Sequence, residues 1–300
     1  METEIIKNRS VGACIKDAFE LFANNMGTIL RRTWLPVLLL ALCQSLYIFG
    51  TPAIESYILP NATVDLTRLI IIGVVAVCVV VGIIIFSIWA NTRMMALLTG
   101  MAPRKMFWRI VRCVLLFLVV GAVAGGLSYL PMMKSGHPQP TLTPGTIGAA
   151  GVITLVLMLV IFIAVIPVIY SSMKYLVEPE QKVLSIFGHP YLKGWRHWGF
   201  LFLLVLLTGI IVMVVYIPVQ APVFIISKAM DSNLAGMIMG DPDSFGLSLQ
   251  LLSYVIISLC VFISAYVSFW MTAVLYFSYG SIEARIQSRE IARANHQTTA

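Results

Sequence analysis

Charge is the scarcest property of this 300-residue sequence: Asp, Glu, Lys and Arg make up 11% of it, against 59% hydrophobic residues. A soluble globular domain carries about 25% charged residues, so too few polar side chains are present to coat a water-facing surface. That excludes a soluble enzyme and a disordered chain. It also excludes a nucleic-acid-binding domain, so no nucleic acid is expected as a partner. Cysteine is sparse as well. Cys14, Cys43, Cys78, Cys113 and Cys260 are odd in number and show no CxxC spacing. Four of them sit in or against apolar runs, where cysteine behaves as a small hydrophobe. Neither a disulfide framework nor a metal site is expected from them.

Ionisable side chains are missing altogether from six long apolar runs, 34–50, 69–90, 113–130, 147–173, 198–226 and 245–279. A helix needs about 20 mainly apolar residues to cross the hydrocarbon core of a bilayer. Barrel strands would instead alternate over segments of about ten residues. The expected fold is therefore an all-α membrane protein with six transmembrane helices, forming one integral membrane domain over 1–300. Charged groups inside a membrane mark proton relays and ion paths. Their absence here argues against carboxylate-based ion coupling and against intramembrane metalloproteases and aspartyl proteases. GxSxG, P-loop, HExxH and dinucleotide patterns are also absent, so no catalytic residue, metal or cofactor is expected.

What charge there is falls unevenly. Of the 20 Lys and Arg residues, 17 lie in residues 1–33, the second-to-third and fourth-to-fifth connections, and the C-terminal tail. Only Arg68, Lys134 and Lys228 fall on the other side. Basic residues are retained in the cytoplasm, which predicts cytoplasmic termini. No cleavable signal peptide is apparent, and the first span is expected to serve as the insertion signal. Asn61-Ala62-Thr63 is a glycosylation sequon on the outer side, but Asn8-Arg9-Ser10 is one on the inner side, and neither carries weight.

A threefold order runs through the chain. Residues 11–26 place apolar side chains at helical spacing, the pattern of an amphipathic interfacial helix. They lead through "RRTWLP" into span one. Met94–Met101 and "RKMFWRIVR" precede span three, while Val183–Phe187 and "LKGWRHWGF" precede span five. Three hairpins, each with a cytoplasmic surface helix, follow from this order. Arg and Trp are favoured at any membrane interface, which alone produces part of the pattern. The opening "SVGACIKDAFELFANNMGTILRR", the basic-aromatic segments and the closing "LYFSYGSIEAR" resemble six-span bacterial inner-membrane families of unknown function. These include the membrane domain that accompanies some glycerophosphodiester phosphodiesterases. The resemblance implies an accessory or lipid-associated role rather than a reaction.

Within the spans, Gln220 stands between Pro218 and Pro222, two prolines expected to kink or break span five. The carbonyls so freed, together with Gln220, would line a cavity; a kink that only improves packing is the plainer reading. Pro167 in span four is a smaller kink of the same type, and Gln250 is a further polar candidate in span six. A transporter or channel for a small or amphipathic molecule would place its cavity among spans four, five and six.

Span six is too long for a bilayer. It is expected to continue through Glu283, Arg285, Arg289 and Glu290 as a solvated helix end. Its serines suit close helix packing, as does the Gly121–Gly125 GxxxG of span three, within the bundle or against a second copy. Asp231, Asp241 and Asp243 are read as a solvated outer loop.

At the interface, Arg31, Arg32, Trp34, Arg104, Lys105, Trp108, Arg109, Lys193, Trp195, Arg196 and Trp198 form basic-aromatic clusters. Such clusters attract anionic lipid headgroups at about 1 kcal/mol per cation, so membrane lipids are the expected partner, beside a membrane-protein partner or homo-oligomer. His189 and His197, with Glu178 or Glu180, would serve an interfacial lipid-modifying enzyme if a carboxylate reached His197. The preferred reading is a non-catalytic accessory or scaffold protein in contact with phospholipids of a cell membrane, of the bacterial inner-membrane kind.

Overall fold

The computed structural model describes residues 5–58, 66–134, 149–241 and 245–298. Asn61, His137, Asp243 and much of the three expected outer loops lie outside the described residues. Eight α-helices and one 3-10 turn make up the described chain. They are α1 (Val11–Asn24), α2 (Met26–Ile58), α3 (Leu66–Thr99), α4 (Pro103–Lys134), α5 (Ala149–Val177), the turn Val183–Phe187, α6 (His189–Trp195), α7 (Trp198–Met239) and α8 (Leu247–Thr298). No strand occurs among the described residues. Six of the helices, α2, α3, α4, α5, α7 and α8, are long and apolar enough to cross a membrane. The chain is thus an all-α, multi-pass membrane protein. In hydrocarbon every backbone amide must be satisfied internally, and unbroken helices achieve this.

Each spanning helix runs past the apolar run that predicted it. Charged residues at a run's edge end its hydrophobicity but not its hydrogen-bond ladder, and only glycine or a change of local geometry ends the helix. Gly100, at φ +69°, closes α3 by donating from its amide to the Ala96 carbonyl. Gly240, at φ +97°, closes α7, with its own N–H bonded to the Met237 carbonyl and that of Asp241 to the Gly236 carbonyl. This is a Schellman cap, open to glycine because it lacks a Cβ.

Three sequence expectations need correction. Met94–Met101 forms no separate surface helix: the ladder of α3 continues to Thr99, with Met94 and Met95 buried. Asp231 lies on α7 and pairs with Lys228 one turn away at 3.2 Å, rather than in a loop. α7 is assigned as one helix through Pro218 and Pro222, so the expected break is absent. The surface helix α1 is present, but its buried seam is Cys14, Ala18 and Leu21, while Phe19 is exposed. Burial raises the Cys14 thiol to about 11, against the opposing charge of Arg9, which marks it as a packing residue.

The chain divides into two compact units, each assembled from segments distant in sequence. One comprises residues 18–103 and 207–273, the other 2–17, 104–206 and 274–300. In the first, α2 packs on α3, and a buried cluster of Ala41, Ile257 and Val261 joins α2 to the first half of α8. Polar contacts reinforce that pair. Ser258 donates to Ser45 at 3.0 Å, the Tyr254 hydroxyl donates to the Leu42 carbonyl at 3.0 Å, and Thr33 and Tyr266 hydroxyls lie 3.3 Å apart. Helices in lipid gain little from mutual hydrophobicity, so such small polar contacts decide the pairing. None of the most apolar window of α3 is buried, and Ile70, Val74, Val77 and Val81 face outward. An outward apolar belt of this kind suits lipid, whereas on a water-soluble chain it would be an aggregation surface.

The second unit is built on a cluster of Cys113, Val168, Tyr175 and Ile186. The N-terminal segment locks onto the second half of α8. Ser281 accepts from the Arg9 amide at 3.1 Å and donates to the Arg9 carbonyl at 2.9 Å, and the Arg9 guanidinium lies 4.9 Å over the Phe277 ring. A Cβ on Gly280 would overlap the Ile5 carbonyl, and one on Gly194 would lie 2.8 Å from the Pro167 carbonyl. These two glycines allow the close approaches. At Gly121 and Gly125 an added Cβ meets nothing within 4 Å, so the GxxxG makes no tight crossing among the described residues.

Candidate functional site

Four constellations hold the chemistry of the described residues. The largest is an open groove of about 900 Å³ in the first unit, between the starts of α2 and the end of α3. Arg31, Arg32 and Trp34 line it from α2, and Trp89 and Arg93 from α3. Farther along the same two helices lies an apolar crevice of about 220 Å³, bounded by Leu46, Tyr47, Ile71 and Val75. At 100° per residue, Leu35 in the groove and Leu46 in the crevice differ by about 20° around α2, and at 1.5 Å rise they are about 16 Å apart. Groove and crevice therefore share one seam: cationic and aromatic at one end, purely apolar at the other.

The second is a cavity of about 230 Å³ in the same unit, formed by α2, α3, α7 and α8. Gln44, Asn91, Tyr216, Gln220, Ser264 and Ser268 are among the residues that line it. Gln220 donates to Ser264 Oγ at 2.8 Å, and the Tyr216 hydroxyl donates to the Ser264 carbonyl at 3.1 Å. Of the sequence candidates only Gln220 lines this cavity. Pro218 and Pro222 do not. Gln250 bonds the Phe245 carbonyl at 2.7 Å and holds the start of α8, and Pro167 packs on Gly194 in the other unit. The cavity thus draws on the first, second, fifth and sixth spans, not on the fourth.

The third lies in the second unit. Lys174 donates to Glu283 at 2.6 Å and pairs with Glu178 at 3.1 Å. Tyr170 donates to the same Glu283 oxygen at 2.5 Å, and Tyr279 donates to Glu178 at 2.8 Å. Glu283 is buried, not solvated as the sequence predicted, because α8 packs its second half against α5. Burial disfavours the charge of Glu178. Hydrogen bonds from Tyr279, Lys174 and Gln181, with the Lys174 charge, outweigh that and hold its carboxyl below the ordinary glutamate value. Every member of the cluster has a partner, which describes a structural brace. Arg109 belongs beside it. Buried, stacked 4.3 Å from the Tyr175 ring, it donates to the Glu178 and Pro179 carbonyls at 2.7 and 2.9 Å. It caps the end of α5 and is not placed to meet a headgroup, unlike Arg104, Lys105 and Trp108, which are exposed.

The fourth is a pocket at the second unit's other basic segment. Trp195 is exposed, and Trp198 stacks on Phe202 at 5.0 Å while donating to the Ile163 carbonyl at 3.3 Å. Lys193, Arg196 and His197 face Arg289, Glu290 and Arg293 of α8. His189 is exposed, and Glu178 is committed to Lys174 and Tyr279. His197 Nδ1 lies 3.1 Å from the Lys193 carbonyl, and no carboxylate is hydrogen-bonded to it among the described residues. The expected His–carboxylate pair is therefore not assembled. Among the described residues no group of three His, Cys, Asp or Glu side chains could hold a metal ion. Comparison with protein-family models, curated proteins and solved structures finds no match.

Proposed function

We propose that the protein is a non-catalytic accessory or scaffold component of a cell membrane that holds anionic phospholipid along the α2–α3 seam. The observation that carries this reading is the groove in which Arg31, Arg32 and Arg93 stand beside Trp34 and Trp89. Arginine binds phosphate oxygens in pairs through its planar fork, tryptophan favours headgroup depth, and the apolar crevice beyond has the character an acyl chain requires. The membrane is the bacterial inner membrane and both termini are cytoplasmic, which places the groove on the cytoplasmic leaflet with its anionic lipids. The resemblance to six-span inner-membrane families belongs with this reading.

Native mass spectrometry of the protein released from nanodiscs tests it. The wild type is expected to retain phosphatidylglycerol over phosphatidylcholine. At about 1 kcal/mol per cation, Arg31→Gln/Arg32→Gln/Arg93→Gln is expected to weaken retention by about a hundredfold. Equal retention in the variant overturns the reading. Reporter fusions are expected to put residue 300 and residue 140 on opposite sides of the membrane.

A second reading is favoured by the polar cavity around Gln220: a binding or transport site for a small polar or amphipathic molecule. Asn91, Tyr216, Gln220, Ser264 and Ser268 already bond to one another or to backbone carbonyls, and the remaining amide groups of Gln44, Asn91 and Gln220 offer a ligand further hydrogen bonds within membrane-spanning helices.

A further inference from the structure

The pocket beside His197 has no part in either reading, and one of its atoms is unexplained. His197 is 7% exposed, and its Nε2 is buried with no hydrogen-bond partner among the described residues. Its Nδ1 faces the Lys193 carbonyl, which can only accept, so Nδ1 carries the proton and a neutral ring presents a bare lone pair at Nε2. Burial, together with the charges of Arg289, Arg285 and Arg196, holds the imidazole below its ordinary value, although the Lys193 carbonyl pulls the other way. A buried acceptor without a donor is costly. His197 lines a pocket of about 80 Å³ whose wall carries Lys193, Arg196, Arg289 and Arg293 against one carboxylate, Glu290, and Nε2 lies just beneath that wall. None of these five forms an ion pair among the described residues.

A complementary ligand must be an anion and must also bring a proton to Nε2. Carboxylates, sulfate and phosphodiesters are anions with no proton to give near neutral pH. A phosphomonoester, whose second pKa is about 6, is both. Its protonated oxygen meets Nε2, while its other oxygens accept from the four cations, which suit their number and charge. The volume is a few times the ~30 Å³ share of one water, which suits one tetrahedral group.

We infer that this pocket is a binding site for a single phosphomonoester group, which shares one proton with His197 Nε2. The group belongs either to a soluble phosphate ester or to a lipid headgroup ending in a phosphomonoester, such as phosphatidic acid. The charged groups facing the imidazole are Lys193 and Arg196 from α6 and its end, and Arg285, Arg289, Glu290 and Arg293 from α8. Above pH ~6 the free ester has lost the proton that the complex keeps, so binding takes up a proton and affinity falls by up to tenfold per pH unit.

The experiment uses the full chain in phosphatidylcholine nanodiscs, titrated calorimetrically with phenyl phosphate at pH 6 and pH 8, with dimethyl phosphate as the diester control. A second arm measures retention of phosphatidic acid against phosphatidylglycerol by native mass spectrometry in the groove variant Arg31→Gln/Arg32→Gln/Arg93→Gln, so that lipid held at the groove is not counted. Tighter binding at pH 6 than at pH 8, with no comparable binding of the diester, is expected. Binding of phenyl phosphate alone identifies a soluble ester as the source, and retention of phosphatidic acid alone identifies the lipid; either supports the site. Arg289→Gln/Arg293→Gln changes exposed residues and is expected to keep the fold while losing tenfold or more in affinity. His197→Phe is expected to flatten the pH dependence. The inference is overturned by no binding in either arm, by equal binding of the diesters, or by an unchanged pH slope in a folded His197→Phe protein. The groove variant Arg31→Gln/Arg32→Gln/Arg93→Gln is expected to bind phenyl phosphate normally, so failure of one site does not imply failure of the other.

Discussion

The Lys174 ammonium lies 2.6 Å from the Glu283 carboxylate, closing α5 onto α8 across 109 positions of sequence. Their side chains are 12% and 10% exposed. Two charges removed from water this far are kept only because Tyr170, Glu178 and Tyr279 complete the hydrogen bonding around them. The pair braces the second unit.

Removing one partner leaves the other buried and uncompensated. Glu283→Leu is expected to destabilise the protein by about 3–5 kcal/mol, and Lys174→Met/Glu283→Leu to recover at least half of that. Thermal unfolding in detergent of the double variant and of the two single ones measures the coupling. Additive losses would show that the pair is not a unit.

Gly194→Ala and Gly280→Ala force a methyl into the Pro167 and Ile5 backbones. Each is expected to cost about 1–3 kcal/mol. Gly121→Ala and Gly125→Ala, with open space around them, are expected to be neutral or slightly stabilising through helix propensity. Melting temperatures of the four single variants distinguish the crossings used from the motif that is not.

The polar cavity is expected to be wet. Asn91→Cys should react with a small water-soluble thiol reagent at least tenfold faster than native Cys78, which is exposed on the apolar length of α3. A charged water-soluble reagent does not enter the hydrocarbon that surrounds the outward face of α3. Equal rates would show a dry cavity and count against the second reading.

Glu178, whose carboxyl is held down in the folded state, stabilises the fold above its unfolded value of about 4.3. That contribution is lost as pH falls through the folded value, because the protonated acid no longer pairs with Lys174. Tyr279→Phe, which removes one of the bonds that lower it, is expected to make stability less sensitive to acid. Unfolding followed between pH 6 and pH 3 shows whether the slope of the variant is shallower.

Part of the candidate chemistry was legible before the fold was known. Arg31, Arg32 and Trp34 are adjacent in sequence and flank a span, so their interfacial role follows from local order. Gln220 was visible as a lone amide in an apolar run. That Trp89 and Arg93 join the groove, and Asn91 and Ser264 the cavity, was not, because nothing local marks which way a residue faces on a helix apolar all round. Lys174 and Glu283 read as ordinary charges at helix ends, and Arg109 as one more interfacial cation. Their burial depends on hydrogen bonds that span 69 to 109 positions.

Composition and hydropathy alone determined that the chain is helical, with six helices long and apolar enough to cross a membrane. Those conclusions rest on summed transfer free energies over twenty-residue windows, which need no knowledge of neighbours. Tertiary structure decided which ends are solvated and which are braced, that Pro218 and Pro222 sit inside one helix, and that His197 shares a pocket with four cations and a single carboxylate. Each of these depends on distances between residues on different helices, and hydrophobicity drives all six helices into lipid equally without choosing which faces meet.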